Sequence, residues 1–216
     1  MAKHPVLIAA FILGAFAVAG TSLVAFTYAI TKERIAYNER ETLLTSLNAL
    51  VPKTTVDNDM VSDTLSVSDP KLLGAPVTTV YRGRLKDRPV ATVLTPVVPD
   101  GYSGPIKLLV AVRYDGTLGG VRVISHKETP GLGDKIEESR SDWIFEFDNK
   151  SLGNPPLEKW KVKRDGGVFD QFTGATITPR SLVKAVKNTL LYVKANRDAL
   201  YVQDTTVQTS REQESH

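Results

Sequence analysis

The chain has 216 residues, 42% of them hydrophobic, and a formal net charge of +3 at pH 7. This length and apolar content allow one medium-sized domain with its own core and an additional segment. The small net charge does not indicate nucleic-acid binding. Cysteine is absent, which excludes disulfides, thiolate-ligated iron–sulfur clusters and Cys-type zinc sites within this chain. With three scattered histidines, we expect no metal site.

An apolar segment without a charged residue extends from Val6 to Ile30. As a helix it is long enough to cross a bilayer core of roughly 30 Å. A cleaved signal peptide is the alternative, because Lys3 and His4 form a short basic start and Ala17-Val18-Ala19 could serve as a cleavage site. The apolar run continues well past that point, so we expect residues 1–30 to be an uncleaved membrane anchor.

The charges on the two sides of the apolar segment leave its orientation open. Lys3 lies before it, and Lys32, Arg34 and Arg40 follow it, so the positive-inside rule does not favour an extracytoplasmic domain. The start of the chain resembles a signal peptide, which favours placing the rest of the chain outside the cytoplasm.

Residues 31–70 are predicted to be a helical stalk and linker. Apolar side chains at helical spacing continue until the proline at position 52, which ends the helix. Residues 54–70 are polar and are predicted to form a loop with at most one helical turn. The folded domain is predicted to span residues 71–200, and residues 201–216 are predicted to be a polar, disordered tail.

Strands and turns dominate the first half of the predicted domain. Four strands are predicted, at Val77–Leu85, Val90–Val98, Ile106–Tyr114 and Val121–Ser125. Asp115-Gly116 is a hairpin signal between the last two. We also predict a helix over Asp134–Trp143, a short strand over Trp160–Lys163 and a long helix ending near Asn196. Together these elements predict an α+β fold of antiparallel strands with flanking helices.

A polar, glycine-containing stretch leads into the long C-terminal helix at residues 170–180. Thr178 is a good N-cap, and Pro179 suits the first helical position. The N–H groups of a helix N-terminus are unpaired and carry a partial positive charge, which makes a phosphate site. Arg180 and Lys184 are expected to add positive charge there. The same pattern also fits an ordinary capped helix after a polar turn.

The order Asp-x-x-Thr-Gly-Ala-Thr, from Asp170 to Thr176, resembles the flavinylation motif of the FMN-binding domain family. In that family FMN is esterified through its phosphate to the last threonine. The resemblance therefore implies covalent FMN on Thr176, with Thr173, Gly174 and Ala175 completing the attachment motif. It also implies that Asp170 helps to present the motif to a flavin transferase that uses FAD and Mg²⁺. A simple loop acid is the alternative for Asp170.

Two further stretches resemble the same family. Residues 101–104 match its glycine-tyrosine loop, and residues 128–133 match its Glu-Thr-Pro-Gly-Leu-Gly segment. The resemblance implies that Thr129, Gly131 and Leu132 bind the flavin close to its isoalloxazine ring.

The segment at residues 128–133 has two other interpretations. It does not carry a dinucleotide-binding motif, because position 136 is Ile where the third glycine would be needed. His126 and Glu128 could act as acid–base groups. Since neither has a partner at motif spacing, we expect both to be solvated loop residues.

The resemblance covers roughly residues 75–200 and implies a membrane-anchored flavoprotein subunit that relays electrons through FMN and is not catalytic alone. Size, the single span and the Thr-Gly-Ala-Thr motif look most like the flavin subunit of the ion-translocating Rnf/Rsx electron transport complexes. The flavin-carrying C subunit of the sodium-translocating NADH–quinone reductase, which generally has a longer chain, is the second choice.

The implied partners are the other membrane subunits, a flavin transferase, and the lipid bilayer through residues 6–30, with the flavin domain on the periplasmic side of the inner membrane. A non-covalent extracytoplasmic binding or sensor domain is the alternative outside the family.

Overall fold

A computed structural model of the protein describes residues 5–202. The chain divides into two units, with the boundary between Thr45 and Ser46. Residues 203–216, which make up most of the predicted tail, lie outside the described residues, so their disorder stays a prediction.

The first helix, α1, runs without a break from Pro5 to Leu50. Among the described residues it is the helix long and apolar enough to cross a membrane. At the usual rise per residue it extends roughly 70 Å, more than twice the thickness of a bilayer core. It ends two residues before Pro52, as the sequence predicts, because a proline cannot continue the helix.

The loop prediction for residues 54–70 is wrong in part. Residues 64–67 form a strand, β1, that pairs with residues 78–81. Four residues with half-exposed, alternating side chains give too weak a local pattern to indicate a strand. The strand forms because its backbone pairs with residues 78–81. A short helix, α2, follows at Pro70–Leu73.

The second unit contains a six-stranded antiparallel sheet in which β5 is central. Its strands are β1 (Thr64–Val67), β2 (Thr78–Leu85), β3 (Arg88–Leu94), β4 (Val97–Val98), β5 (Ile106–Arg113) and β6 (Leu118–Ser125). β3 and β4 pair with successive parts of β5, and β6 also pairs with β5. The predicted strand at Val90–Val98 is thus two strands, interrupted at Thr95-Pro96 where the proline has no N–H to donate.

Two tight turns set the register of the hairpins. Lys86 and Asp87, between β2 and β3, have φ values of 53° and 60°, the left-handed conformation that two-residue hairpin turns need. Between β5 and β6, Gly116 has φ 88°, and the carboxyl of Asp115 accepts the N–H of Thr117 at 2.8 Å. The hairpin predicted from Asp115-Gly116 is confirmed.

The long helix α3 covers Ile177–Asn196 and ends where the sequence predicts. Its apolar face belongs to the same buried cluster as the inward side chains of the sheet. The residues of α3 in that cluster are Leu182, Val183, Ala185, Val186, Leu190, Tyr192 and Val193. Burying this face fixes α3 on the sheet.

The predicted helix at Asp134–Trp143 is wrong. The chain instead forms two 3₁₀ segments, Gly133–Ile136 and Asp142–Phe147. The second segment places Phe147 in the core, stacked on Phe169 with ring centroids 4.7 Å apart. Trp143, the one aromatic residue of the predicted segment, packs edge-to-face on Phe172, and such tertiary contacts can outweigh local helix propensity.

The predicted strand at Trp160–Lys163 is also wrong. The only sheet-like pairing there, within the described residues, is an isolated bridge between Val162 and Phe169, and a 3₁₀ turn follows at Lys163–Asp165. Trp160 is buried, so its apolar character reflects the core of the domain and not a strand.

Candidate functional site

The N-terminus of α3 lies one residue after Thr176, which is its N-cap residue and whose side chain makes no capping hydrogen bond. The prediction that Thr178 caps the helix and Pro179 begins it is wrong, because they are the second and third helical residues. Thr178 is buried, and its hydroxyl donates to the carboxyl group of Glu128. Pro179 remains compatible with the helix, since the first four N–H groups have no intrahelical partner.

The predicted attachment motif contains a tight turn that leads directly to this helix end. Gly174 has φ 84°, a conformation that favours glycine. The N–H of Ala175 donates to the carbonyl of Phe172 at 3.2 Å and closes the turn. Thr173 is exposed and Thr176 is half-buried. The turn therefore places the Thr176 hydroxyl at the N-terminus of α3, where it makes no capping hydrogen bond.

The start of the motif is held by the 3₁₀ segment at Asp142–Phe147. The indole N–H of Trp143 donates to the carbonyl of Asp170 at 2.9 Å, and the N–H of Asp170 donates to the carboxyl of Glu146 at 3.2 Å. Burial raises the pKa of Glu146, although the hydrogen bond from Asp170 opposes the shift. The Asp170 side chain is about half exposed and forms an ion pair with Lys163.

The two basic residues expected to add positive charge are both close to acidic groups. Arg180 donates twice to Asp165, at 2.6 and 2.9 Å, and this contact lowers the pKa of Asp165. The amine of Lys184 lies 3.9 Å from the carboxyl of Asp100. A paired carboxylate therefore partly offsets the positive charge expected from each of these residues, and the helix end itself adds local positive potential.

The structure brings the loop at residues 129–133 next to the attachment motif. A Cβ placed on Gly174 would lie 3.4 Å from Cδ2 of Leu132, so Leu132 borders the open side of the turn. The carbonyl of Thr129 accepts the N–H groups of Leu132 and Gly133, both at 3.1 Å. Gly131 has φ 76°, which allows this tight turn.

The arrangement at this helix end fits the two parts of FMN. A helix N-terminus whose N-cap hydroxyl makes no capping hydrogen bond suits a phosphate. The turn at Gly174 leaves room beside that hydroxyl, because glycine has no side chain. Leu132 and Ile177 are 42% and 46% exposed, which gives apolar surface for an aromatic ring. That these residues hold FMN stays a prediction.

Glu128 and His126 are not solvated loop residues, so that expectation is wrong. Glu128 is only 5% exposed. The His126 ring accepts the N–H of Glu128 through Nδ1 at 2.9 Å, and its Nε2 lies 2.6 Å from Glu137. The side-chain partners of Glu128 are Ser103 and Thr178, 25 and 50 residues away. No local pattern signals contacts at such separations.

Sequence comparison identifies two regions of this chain. The FMN-binding domain family matches residues 101–191, and the family described as the RnfG N-terminal region matches residues 1–50. The chain is 48% identical over 191 residues to the G subunit of the ion-translocating oxidoreductase complex of Pseudoalteromonas atlantica, covering 88% of this chain and 89% of that protein.

The chain belongs to the family of G subunits of ion-translocating oxidoreductase complexes. The protein of the same name from Vibrio atlanticus is 45% identical, covering 89% of this chain and 92% of that protein. That of Pseudomonas aeruginosa is 48% identical, with 88% and 90% covered. The predicted resemblance to the flavin subunit of the Rnf/Rsx complexes is thus confirmed in preference to the C subunit of the sodium-translocating reductase. The predicted α+β fold with an N-terminal apolar helix and an FMN-binding domain is confirmed as well.

Proposed function

We propose that this protein is a membrane-anchored electron carrier of an ion-translocating oxidoreductase complex, with FMN joined to Thr176 by a phosphoester bond. The observation that carries the proposal is the position of Thr176, whose hydroxyl lies at the N-terminus of α3 and makes no capping hydrogen bond. Bound FMN supplies the redox chemistry, exchanging one or two electrons. The chain retains and orients the flavin, and no residue of it is a catalytic group.

Each residue of the predicted site has a role in holding the flavin. Thr176 provides the ester oxygen, and the free N–H groups at the start of α3 favour the phosphate. Thr173, Gly174 and Ala175 form the turn that presents this oxygen. Leu132 lies against the turn, so its side chain is placed to contact the ring. Thr129 and Gly131 shape the loop that carries Leu132.

Loading requires a partner enzyme, a flavin transferase with FAD and Mg²⁺. The Thr176 oxygen forms a bond to the FMN phosphorus of FAD while the bond from that phosphorus to AMP breaks. The hydroxyl proton passes to the transferase. Asp170, half exposed at the start of the motif, is placed to present the motif to that enzyme. A covalent link prevents the flavin from leaving, whatever the strength of its non-covalent contacts.

The membrane topology is part of the proposal. Residues 1–30 anchor the chain in the inner membrane, residues 31–70 form the stalk and linker, and residues 71–200 form the flavin domain, to which β1 adds a strand. The flavin domain lies on the periplasmic side, since the N-terminus resembles a signal peptide. The relatives are named as subunits of a complex, which supports the proposal that the partners of this chain are the other membrane subunits of such a complex.

The test is the intact mass of the full-length chain from cells with and without the transferase. We expect a gain equal to FMN less one water, mapped to the peptide that contains Thr176. Thr176→Ala should remove this gain, and the exposed Thr54→Ala is the matched control that should keep it. Flavin fluorescence that survives denaturation in Thr176→Ala would refute the attachment site, and an unmodified native chain would refute covalent attachment.

A further inference from the structure

Glu128 is a buried acidic residue to which the proposed function assigns no role. We propose that it is a positioning residue, which holds the first turn of α3 against the glycine-tyrosine loop at residues 101–104 and the loop at residues 129–133. This inference rests on the proposed function, because the role given to Glu128 is to fix the position of the Thr176 hydroxyl relative to Leu132. Glu128 itself does not contact the flavin in this proposal.

The carboxyl group of Glu128 joins two separate parts of the chain. Its Oε1 accepts the N–H of Ser103 at 2.9 Å, in the glycine-tyrosine loop. Its Oε2 accepts the hydroxyl of Thr178, in the first turn of α3. Glu128 is 5% exposed and Thr178 is fully buried, so water competes little for either bond.

Two glycines allow the chain to approach this carboxyl closely. A Cβ on Gly133 would lie 2.7 Å from Oε2 of Glu128 and 3.1 Å from the Thr178 hydroxyl. A Cβ on Gly101 would lie 3.1 Å from Oε1 of Glu128, and 2.1 Å from the carbonyl of Gly104. At these two positions the chain therefore approaches the carboxyl too closely to leave room for a side chain. Such packing is expected of a fixed junction and not of a free acid.

The junction controls both sides of the flavin site. Thr178 is two residues after Thr176, so the bond from Thr178 to Glu128 fixes the helix end that carries the ester oxygen. Gly133 follows Leu132, whose side chain lies against the attachment turn. Releasing Glu128 lets the hydroxyl and the loop move independently. Misplacement of a reacting group by a small distance slows a reaction strongly.

Other contacts keep the domain folded when this junction is lost. The hydroxyl of Ser181 donates to the carbonyl of Asp100 at 2.7 Å, which ties α3 to the same loop by a second route. The apolar face of α3 remains in the core. Variants of Glu128 should therefore fold and differ in the site.

The experiment measures FMN attachment to the full-length chain in detergent, using purified transferase, FAD and Mg²⁺. We expect Glu128→Leu to lower the initial rate of attachment about tenfold, because it removes the bond to Thr178 that fixes the helix end, and one lost hydrogen bond corresponds to a factor of about that size. Thr178→Val should do the same. The double variant should be no slower than Glu128→Leu alone, because Glu128→Leu already removes the bond that Thr178→Val removes. The absorption and circular dichroism of the attached flavin should shift in all three.

Conservative variants separate positioning from a loss of fold. Glu128→Gln should recover most of the rate, because its amide can accept from Ser103 and donate to Thr178. Thr178→Ser should recover it too. Glu138→Gln, an exposed carboxyl on the neighbouring segment, should match the wild type throughout.

Wild-type rate and an unshifted flavin spectrum in Glu128→Leu would overturn the inference. So would additive effects in the double variant, or lowered thermal stability with an unchanged spectrum. Hydrogen exchange in the unloaded chain tests the junction independently, and we expect faster exchange at Ser103 in Glu128→Leu. If the wild type takes up no flavin, the proposed function fails, whereas unchanged exchange at Ser103 overturns the role of Glu128.

Discussion

One carboxylate, Asp63, is predicted to contribute strongly to the stability of the second unit. It bridges two arginines on β2, with distances of 2.6 Å to Nε of Arg82 and 2.8 Å to Nε of Arg84. Both arginine side chains are only 8% exposed. The same guanidinium groups donate to the carbonyls of Val202 and Tyr201, so the cluster also fixes the C-terminal end of the described chain.

The size of the effect follows from burial. Asp63→Ala leaves two guanidinium groups in a poorly hydrated position without their carboxylate. Removing one partner of a buried ion pair costs roughly 3–5 kcal/mol. The Asp63 side chain is 21% exposed, which allows some rehydration, so we expect about 3 kcal/mol. Asp63→Asn keeps one acceptor oxygen and should cost less.

The assay is urea unfolding of the full-length chain in detergent, followed by tryptophan fluorescence. The chain has two tryptophans, Trp143 and Trp160, both in the second unit, so the signal reports that unit alone. The matched control is Asp165→Ala, which removes an acid at 2.6 Å from Arg180. That pair is solvent-exposed, and exposed pairs contribute little, so the midpoint should not change measurably.

The reasoning would be refuted by an Asp63→Ala midpoint equal to that of the wild type. Equal losses in the free energy of unfolding in Asp63→Ala and Asp165→Ala would also contradict the reasoning. Burial would then not determine how much an ion pair contributes to stability. High salt gives a further check. It should leave the difference between Asp63→Ala and the wild type largely unchanged, since buried pairs are screened little.

Three other predictions concern the flavin environment, the anchor and the pH dependence. Leu132→Ala should alter the flavin spectrum and potential more than the extent of attachment, and an unchanged spectrum and potential would count against a ring contact. Removal of residues 1–30 should give a soluble flavin domain, and persistent fractionation with membranes would argue against the anchor. Burial raises the pKa of Glu146 in the folded protein. Ionised Glu146 should therefore lower the free energy of unfolding. This loss should grow as the pH rises from the ordinary glutamate pKa to the raised pKa, and it should stay constant at higher pH. Glutamine at this position does not ionise, so the urea midpoints of Glu146→Gln and the wild type should converge at low pH and separate towards neutral pH. A difference that does not change with pH would contradict burial as the cause of the raised pKa.

Local pattern was sufficient for the elements whose residues interact with near neighbours in sequence. The strands near Val77–Leu85 and Ile106–Tyr114 were predictable from their β-branched residues and flanking turns. The hairpin at Asp115-Gly116 and the end of α3 near Asn196 follow from turn chemistry and helical spacing. In each case the local preference and the final packing agree.

The elements that the sequence did not predict depend on distant partners. β1 forms because residues 64–67 pair with β2. In the segment at Asp134–Trp143 the one aromatic side chain, Trp143, packs against Phe147 and Phe172. Propensity is a weak guide where tertiary contacts are stronger than local preference.

The apolar helix and the fold class can be read from the order of residues, and so can the stretch that we propose as the attachment motif, because each is a run of neighbours with a recognisable pattern. Packing was needed to show that Thr176 and not Thr178 stands at the start of α3, and that Leu132 lies against Gly174. Packing also buries Glu128 between two loops and a helix. A carboxyl group 50 residues from its hydroxyl partner leaves no periodic trace in the chain, and the contact forms only when the sheet and α3 pack together.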